Sequence, residues 1–250
     1  MTKLNTGLSG CSLELINDRV LRKYSPTTDY NSRLLSQADK QVVFGNRIYK
    51  NIDAPKVYDI QKNYFDMEYV AGKSFEDFFS IASVNDVEFV VSTLFDYFDA
   101  LIFTARNIDA TKQILEKLDN LKEKSSYPKY IEFLRKYVED RRIIVPHTFC
   151  HGDLTLANII FHKNRLFFID FLDCYVDTFL SDLVKLKQDL HHLQKQSKRT
   201  PQNFYQQYTP CQNNSLVCYI PLVHLYFYKC DYQTPLVYLL ETTILNYNLL

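Results

Sequence analysis

The sequence predicts an α+β fold in two unequal lobes. Residues 1–70 read as a small lobe on a mainly antiparallel sheet with one helix, and residues 74–250 as a larger, mainly helical lobe. Short runs with period-two alternation crowd the first part. Long segments with apolar residues every three to four positions dominate the second. Residues 151–173, HGDLTLANIIFHKNRLFFIDFLD, interrupt the helical part with two apolar β-type stretches around the turn-prone HKN. At 250 residues the chain is large for one core and ordinary for two.

Taken in order, SLELI and RVLRKY alternate and are joined by the turn signal Asn17-Asp18, which makes them a hairpin. Ahead of them lie Gly7 and Gly10, two of only five glycines in the chain. Glycine used this sparingly marks places where backbone turns sharply or approaches a ligand. Residues 31–44 have helical spacing, with Leu34, Leu35, Ala38 and Val42 as the apolar positions. Ala54-Pro55-Lys56-Val57 opens a strand, YFDMEYV forms the next, and Ala71-Gly72-Lys73 breaks the chain before a helix starting near Ser74. Ser83 with Asp86 gives an N-cap and an acid in the first turn of a further helix. Its apolar residues Val87, Val90, Val91, Leu94, Phe95, Phe98, Leu101 and Ile102 form one buried face. KQILEKLDNL and YIEFLRKYV are shorter amphipathic helices, and Gln194–Gln207 reads as an exposed loop.

Composition narrows the partners. Net charge is zero and no basic run stands out, which argues against nucleic acid or a membrane surface as partner. No apolar run approaches the roughly 20 residues that span a bilayer. MTKLNTGLSG lacks the apolar core of a signal peptide. Six cysteines are scattered without CxxC or CxxH spacing, so reduced thiols and a cytoplasmic location are expected.

The chemistry is concentrated in residues 151–173. Asp153 precedes Asn158 by five positions, and the apolar run LFFID ends on Asp170. Two carboxylates and an amide at this spacing suit metal-assisted phosphoryl transfer, in which one carboxylate orients the attacking hydroxyl while the amide and the second carboxylate hold the metal. A strand–turn–strand between them brings the two ends of the motif together.

HGDxxxxN followed by this apolar strand ending in Asp resembles the catalytic and metal-binding loops of the aminoglycoside phosphotransferase and choline kinase-like family, small-molecule relatives of protein kinases. Gly152 stands where protein kinases carry Arg, and Asp170 is followed by Phe171-Leu172 without glycine. The resemblance implies one protein kinase-like domain over residues 1–250, with residues 71–73 as hinge and acceptor-binding helices at about 186–250. It implies ATP and Mg²⁺ as cofactors, Asp153 as the catalytic base, and Asn158 and Asp170 as metal ligands. A glycine-containing hairpin, here Gly7, Ser9 and Gly10, would cover the phosphates. A cation on the next strand would contact them: register selects Arg22, with Lys23 adjacent. The helix acid that pairs with that cation is usually a glutamate, which residues 31–44 lack; Asp39 is nearest, and Gln37 is the other candidate. The backbone of Glu68–Val70 would hold the base, with Met67 behind it, and Asp182 would cap the following helix.

For the acceptor, the family resemblance points to the C-terminal helices. After Leu190 the chain has Asp231 and Glu241 against Lys195, Lys198, Arg199 and Lys229, the wrong sign for a polycationic aminoglycoside. Choline would need an aromatic cage, which tyrosines alone would have to supply since tryptophan is absent. A hydroxyl on a neutral or anionic sugar or polyol fits the charge best. The alternatives are choline, ethanolamine or an aminoglycoside as acceptor, or a catalytically weak nucleotide-binding scaffold. No Ala-Pro-Glu activation segment of protein-kinase type is present.

Overall fold

Alternating apolar and polar residues in the first 70 positions pair as a sheet in the computed structural model, which describes residues 2–4, 10–79, 81–122, 128–186 and 189. Strands β1 (Thr2–Leu4), β2 (Ser12–Leu15), β3 (Val20–Tyr24), β5 (Val57–Gln61) and β6 (Tyr64–Glu68) form a five-stranded sheet in the order β1-β2-β3-β6-β5, every pair antiparallel. Asp18 adopts φ 42 in the turn between β2 and β3, as the Asn17-Asp18 signal requires.

Helix α1 (Asn31–Gly45) packs on this sheet, where Leu34 and Ala38 meet Cys11, Phe65 and Met67. Its buried face is not the one the apolar spacing suggests. Leu34, Gln37, Ala38, Gln41 and Phe44 are buried, whereas Val42 is exposed. The two glutamines can enter because each has a partner there: Gln41 donates through Nε2 to the Pro55 carbonyl at 2.6 Å, and Gln37 accepts from Lys23.

The same compact unit, Met1–Tyr97 with His151–Asp173, contains a three-stranded sheet. Here β9 (Ile159–His162) and β10 (Arg165–Phe168) form an antiparallel hairpin, and β4 (Ile52–Asp53) joins β10 in parallel. Lys163 and Asn164, both at positive φ, make its two-residue turn, the primed geometry that matches strand twist. Phe44 stacks near Phe168 and Phe171 at 5.6 and 5.0 Å. Ser74 caps the short α2 (Phe75–Phe79), accepting the Asp77 N–H. Ser83 and Asp86 exchange hydrogen bonds as a capping box ahead of α3 (Val84–Thr104), and the Ser83 hydroxyl and N–H, both donating to the Asp86 carboxylate, hold it below its usual range.

The second unit comprises Phe98–Cys150 and Cys174–Leu250. Within its described part, α4 (Thr111–Lys122) packs on α5 (Pro128–Glu139) through Ile114, Leu118, Ile131 and Leu134. This mainly helical part also contains a strand pair that the sequence reading did not identify: Arg106–Asp109 (β7) and Ile144–His147 (β8) pair antiparallel. A correction concerns Asp182. Residues 179–186 are helical, so this buried aspartate lies inside the helix. The first-turn N–H groups of Phe179 and Leu180 go instead to the hydroxyls of Thr148 and Thr178.

Candidate active site

Gly152 sits at φ 94, a conformation that only glycine adopts without strain, and this swings the chain from His151 to Asp153. His151 is fully buried and bridges the two ends of the motif. Its Nδ1 accepts the Asp153 N–H at 3.2 Å, so Nε2 carries the proton and donates to the Ile169 carbonyl at 2.8 Å. Burial lowers its pKa to about 3, which keeps the ring neutral. The His151 carbonyl accepts the Leu172 N–H, and the Asn158 carbonyl accepts that of Ile169. These bonds bring Asp153, Asn158 and Asp170 together. Asn158 donates through Nδ2 to the Asp153 carbonyl at 2.8 Å and approaches the Asp153 carboxylate at 3.4 Å. Asp170 itself takes φ 64, an uncommon conformation for a non-glycine residue.

The cation facing this cluster is Lys23, and the register choice of Arg22 is corrected. Lys23 is buried, pairs with the Asp170 carboxylate, and donates to Gln37 Oε1 at 2.9 Å. Arg22 lies on the opposite face of β3, where it holds Asp66 through two bonds of 2.6 and 2.8 Å beneath the Tyr64 ring. Period-two geometry explains the outcome: Lys23 shares a face with Leu21, which packs toward α1, and Asp66 lies directly across from Arg22. Asp39 is exposed, and the helix partner is the neutral Gln37, held in turn by the Tyr30 hydroxyl at 3.1 Å.

One cavity collects most of these groups, although Asp153 is not among its lining residues. Lys23, Gln37, Asn158 and Asp170 line its polar end, and Leu13, Leu21, Phe65, Met67, Ile160 and Ile169 its apolar walls. Glu68, Tyr69 and Val70 close the far edge. Tyr69 N–H is engaged by the Arg19 carbonyl, and the Val70 N–H has no hydrogen-bond partner among the described residues. Gln41, Pro55 and Cys11 also line the cavity and escaped sequence reasoning; the buried glutamines were legible only as helix positions one turn apart. Gly10, at φ 75 against Pro26, does not line it. Gly7, Ser9 and the acceptor-binding helices proposed for residues up to 250 lie outside the described residues.

Gly72 is required by a close approach. Lys73 and Phe161 exchange two backbone hydrogen bonds of 2.9 Å, and a Cβ at Gly72 would run into Ile160 and come within 2.7 Å of the Phe161 carbonyl oxygen. The donor set also fits a hard cation. Asn158 has its amide nitrogen engaged, leaving Oδ1, and Asp170 offers a carboxylate into the same cavity, an all-oxygen pair of the kind Mg²⁺ takes. Among the described residues no helix is long and apolar enough to cross a membrane.

Comparison with known proteins places this geometry. No curated protein sequence matches the chain. Among solved structures, the streptomycin–ATP ternary complex of APH(2")-IIa superposes with a TM-score of 0.56 at 16% identity, covering 89% of this chain and 84% of that one. APH(3'')-Id from Streptomyces rimosus gives 0.50 at 16% identity, covering 83% and 85%. A glucosamine kinase bound to glucosamine, ADP and inorganic phosphate gives 0.50 at 11%, covering 97% and 72%. These likenesses establish the fold as the protein kinase-like one. The sequence profile of the Phosphotransferase enzyme family matches residues 14–197, most of the chain, and with the motif assembled around one cavity the protein belongs to that family and is a phosphotransferase.

Proposed function

We propose that the protein moves the γ-phosphate of ATP to a hydroxyl group of a small molecule, a neutral or anionic sugar or polyol. The observation that carries this reading is that Asn158, hydrogen-bonded to Asp153, lines one cavity with Asp170 and the buried Lys23 that pairs with it. Lys23 holds the nucleotide phosphates and balances their charge. Backbone at Glu68 and Val70 takes the base, and the apolar walls exclude water from it. Asp153 orients the acceptor hydroxyl. As the oxygen bonds to the γ-phosphorus, the bond to the β–γ bridging oxygen breaks, ADP leaves and the hydroxyl proton passes to Asp153. Asn158 and Asp170 would hold Mg²⁺, which when bound spreads the phosphate charge.

The acceptor class rests on charge. Beyond Leu190 the sequence contains four cationic side chains and two carboxylates, a balance that disfavours a polycation. The structural neighbours include enzymes bound to streptomycin and to glucosamine, which supports a small molecule as acceptor. The decisive experiment is a panel of hydroxyl acceptors assayed with ATP and Mg²⁺, run alongside Asp153→Asn. That nearly isosteric change is expected to leave ATP affinity within a few fold and to lower kcat roughly 10²-fold or more. Unchanged kcat with weakened ATP binding would make Asp153 a nucleotide ligand instead of the base. Absence of turnover with every acceptor, together with intact ATP binding, would favour the scaffold reading.

A further inference from the structure

Away from the cavity, in the second unit, Cys150, Cys174 and Asp177 converge. One ligand atom from each lies within 4.8 Å of the others. Cys150 Sγ is 3.2 Å from Cys174 Sγ and 3.3 Å from an Asp177 carboxylate oxygen. Cys150 has one S–H for these two neighbours, whereas a single cation can satisfy all three at once. Around a tetrahedral ion with Zn–S near 2.3 Å and Zn–O near 2.1 Å, ligand atoms sit about 3.6–3.8 Å apart, so the gaps from Cys150 to its two neighbours need open by only about half an ångström or less.

The two chain segments bearing these groups are already fastened together. Thr148 N–H donates to the Asp177 carbonyl at 3.1 Å, and Phe179 N–H donates to Thr148 Oγ1 at 2.9 Å. Burial is graded: Cys150 is fully buried, Cys174 half-buried and Asp177 exposed. An ion can therefore enter beside Asp177, with water as its fourth ligand. We infer that Cys150, Cys174 and Asp177 form a binding site for a thiophilic divalent cation of the zinc class. Two sulfurs rule out the hard-cation chemistry expected of Asn158 and Asp170. Binding would release the thiol protons and clamp the two points at which segment 151–173 leaves and rejoins the chain.

The test uses the reduced, chelator-treated full chain and does not depend on phosphotransfer. Titration with Co²⁺ is expected to produce a thiolate-to-cobalt charge-transfer absorption saturating at one equivalent. Zn²⁺ should displace it, with a Kd below about 1 μM measured against a chromophoric chelator. Cys150→Ser and Cys174→Ser should abolish the absorption, and Asp177→Asn should weaken zinc at least about 10-fold. Cys11→Ser, and serine at Cys211, Cys218 and Cys230 together, should leave it intact. Circular dichroism checks folding; should buried Cys150 not tolerate serine, half-buried Cys174 and exposed Asp177 carry the test. The inference is overturned if the reduced wild-type chain shows no charge-transfer absorption, if the absorption survives Cys174→Ser, or if the untreated chain carries an intramolecular Cys150–Cys174 disulfide and its reduced form does not bind zinc.

Discussion

Two cationic side chains one residue apart on β3 have opposite commitments. Arg22 is bound on both sides of its fork by Asp66, and that pair together with its hydrogen bonding raises its pKa further. Lys23 is more deeply buried, yet its helix partner is a neutral amide, and its one carboxylate partner comes from the far end of the motif segment. The first cation joins two adjacent strands. The second joins a strand, a helix and a loop that are distant in sequence, around an empty volume. The difference teaches that a cation's role follows from who answers its charge: a dedicated neighbour makes it architecture, whereas a shared partner beside a cavity leaves it available to a ligand.

Replacing each in turn breaks the comparison most directly. Lys23→Met is expected to lower turnover roughly 10²-fold, as loss of one preorganised charge at a reacting group does. It should also cost about 1–3 kcal/mol of stability because buried Gln37 loses its partner, so turnover is read at a temperature where the variant is folded. If that variant keeps full turnover, Lys23 is structural and the contrast collapses. The buried structural groups come next. Gly72→Ala forces a methyl against the Phe161 carbonyl and should cost about 1–3 kcal/mol of stability, read from denaturant midpoints. Loss of turnover in that variant without loss of stability would place Gly72 in the site instead.

His151 sharpens the same line through pH. Its folded pKa of about 3 lies below the ordinary value of 6.5, so the unfolded chain binds the extra proton first as acid is added. Its stabilising effect is complete above pH 6.5 and is lost as pH falls toward 3, by about 1.4 kcal/mol per pH unit. His151→Asn should flatten the dependence of unfolding free energy on pH across that window; an unchanged slope would mean that another group sets it. The smallest effect belongs to Arg22→Met. A part-exposed ion pair is worth about 1 kcal/mol or less, so a slightly lower melting temperature with turnover within about twofold is expected.

How much of this was legible in the sequence differed by range. The segment 151–173 carries its own turn, its own two strands and Asp153, Asn158 and Asp170 within one short stretch, so local chemistry sufficed to find it. Which of Arg22 and Lys23 faces the cavity depends on where α1 lies and on Asp66, 44 residues away, neither of which alternation alone supplies. Gln37 and Gln41 look like surface residues on a helical wheel; only their partners, Lys23 and the Pro55 carbonyl, admit them to the interior. Likewise β7 and β8 are four residues each and pair across two intervening helices, so neither run signals the other.

The connection around Gly72 also has a mechanical meaning. At one end, Tyr69 is tied to Arg19 of the sheet; at the other, Lys73 is tied twice to Phe161 of the β9–β10 hairpin. Gly72 is wedged against that hairpin. Residues 72 and 73 are therefore fixed to the hairpin and Tyr69 to the sheet. The Ala71 carbonyl is bonded by His162 of the same hairpin and the Val70 carbonyl accepts the Gly72 N–H, so residues 69–73 form a continuous brace between sheet and hairpin at the edge of the cavity.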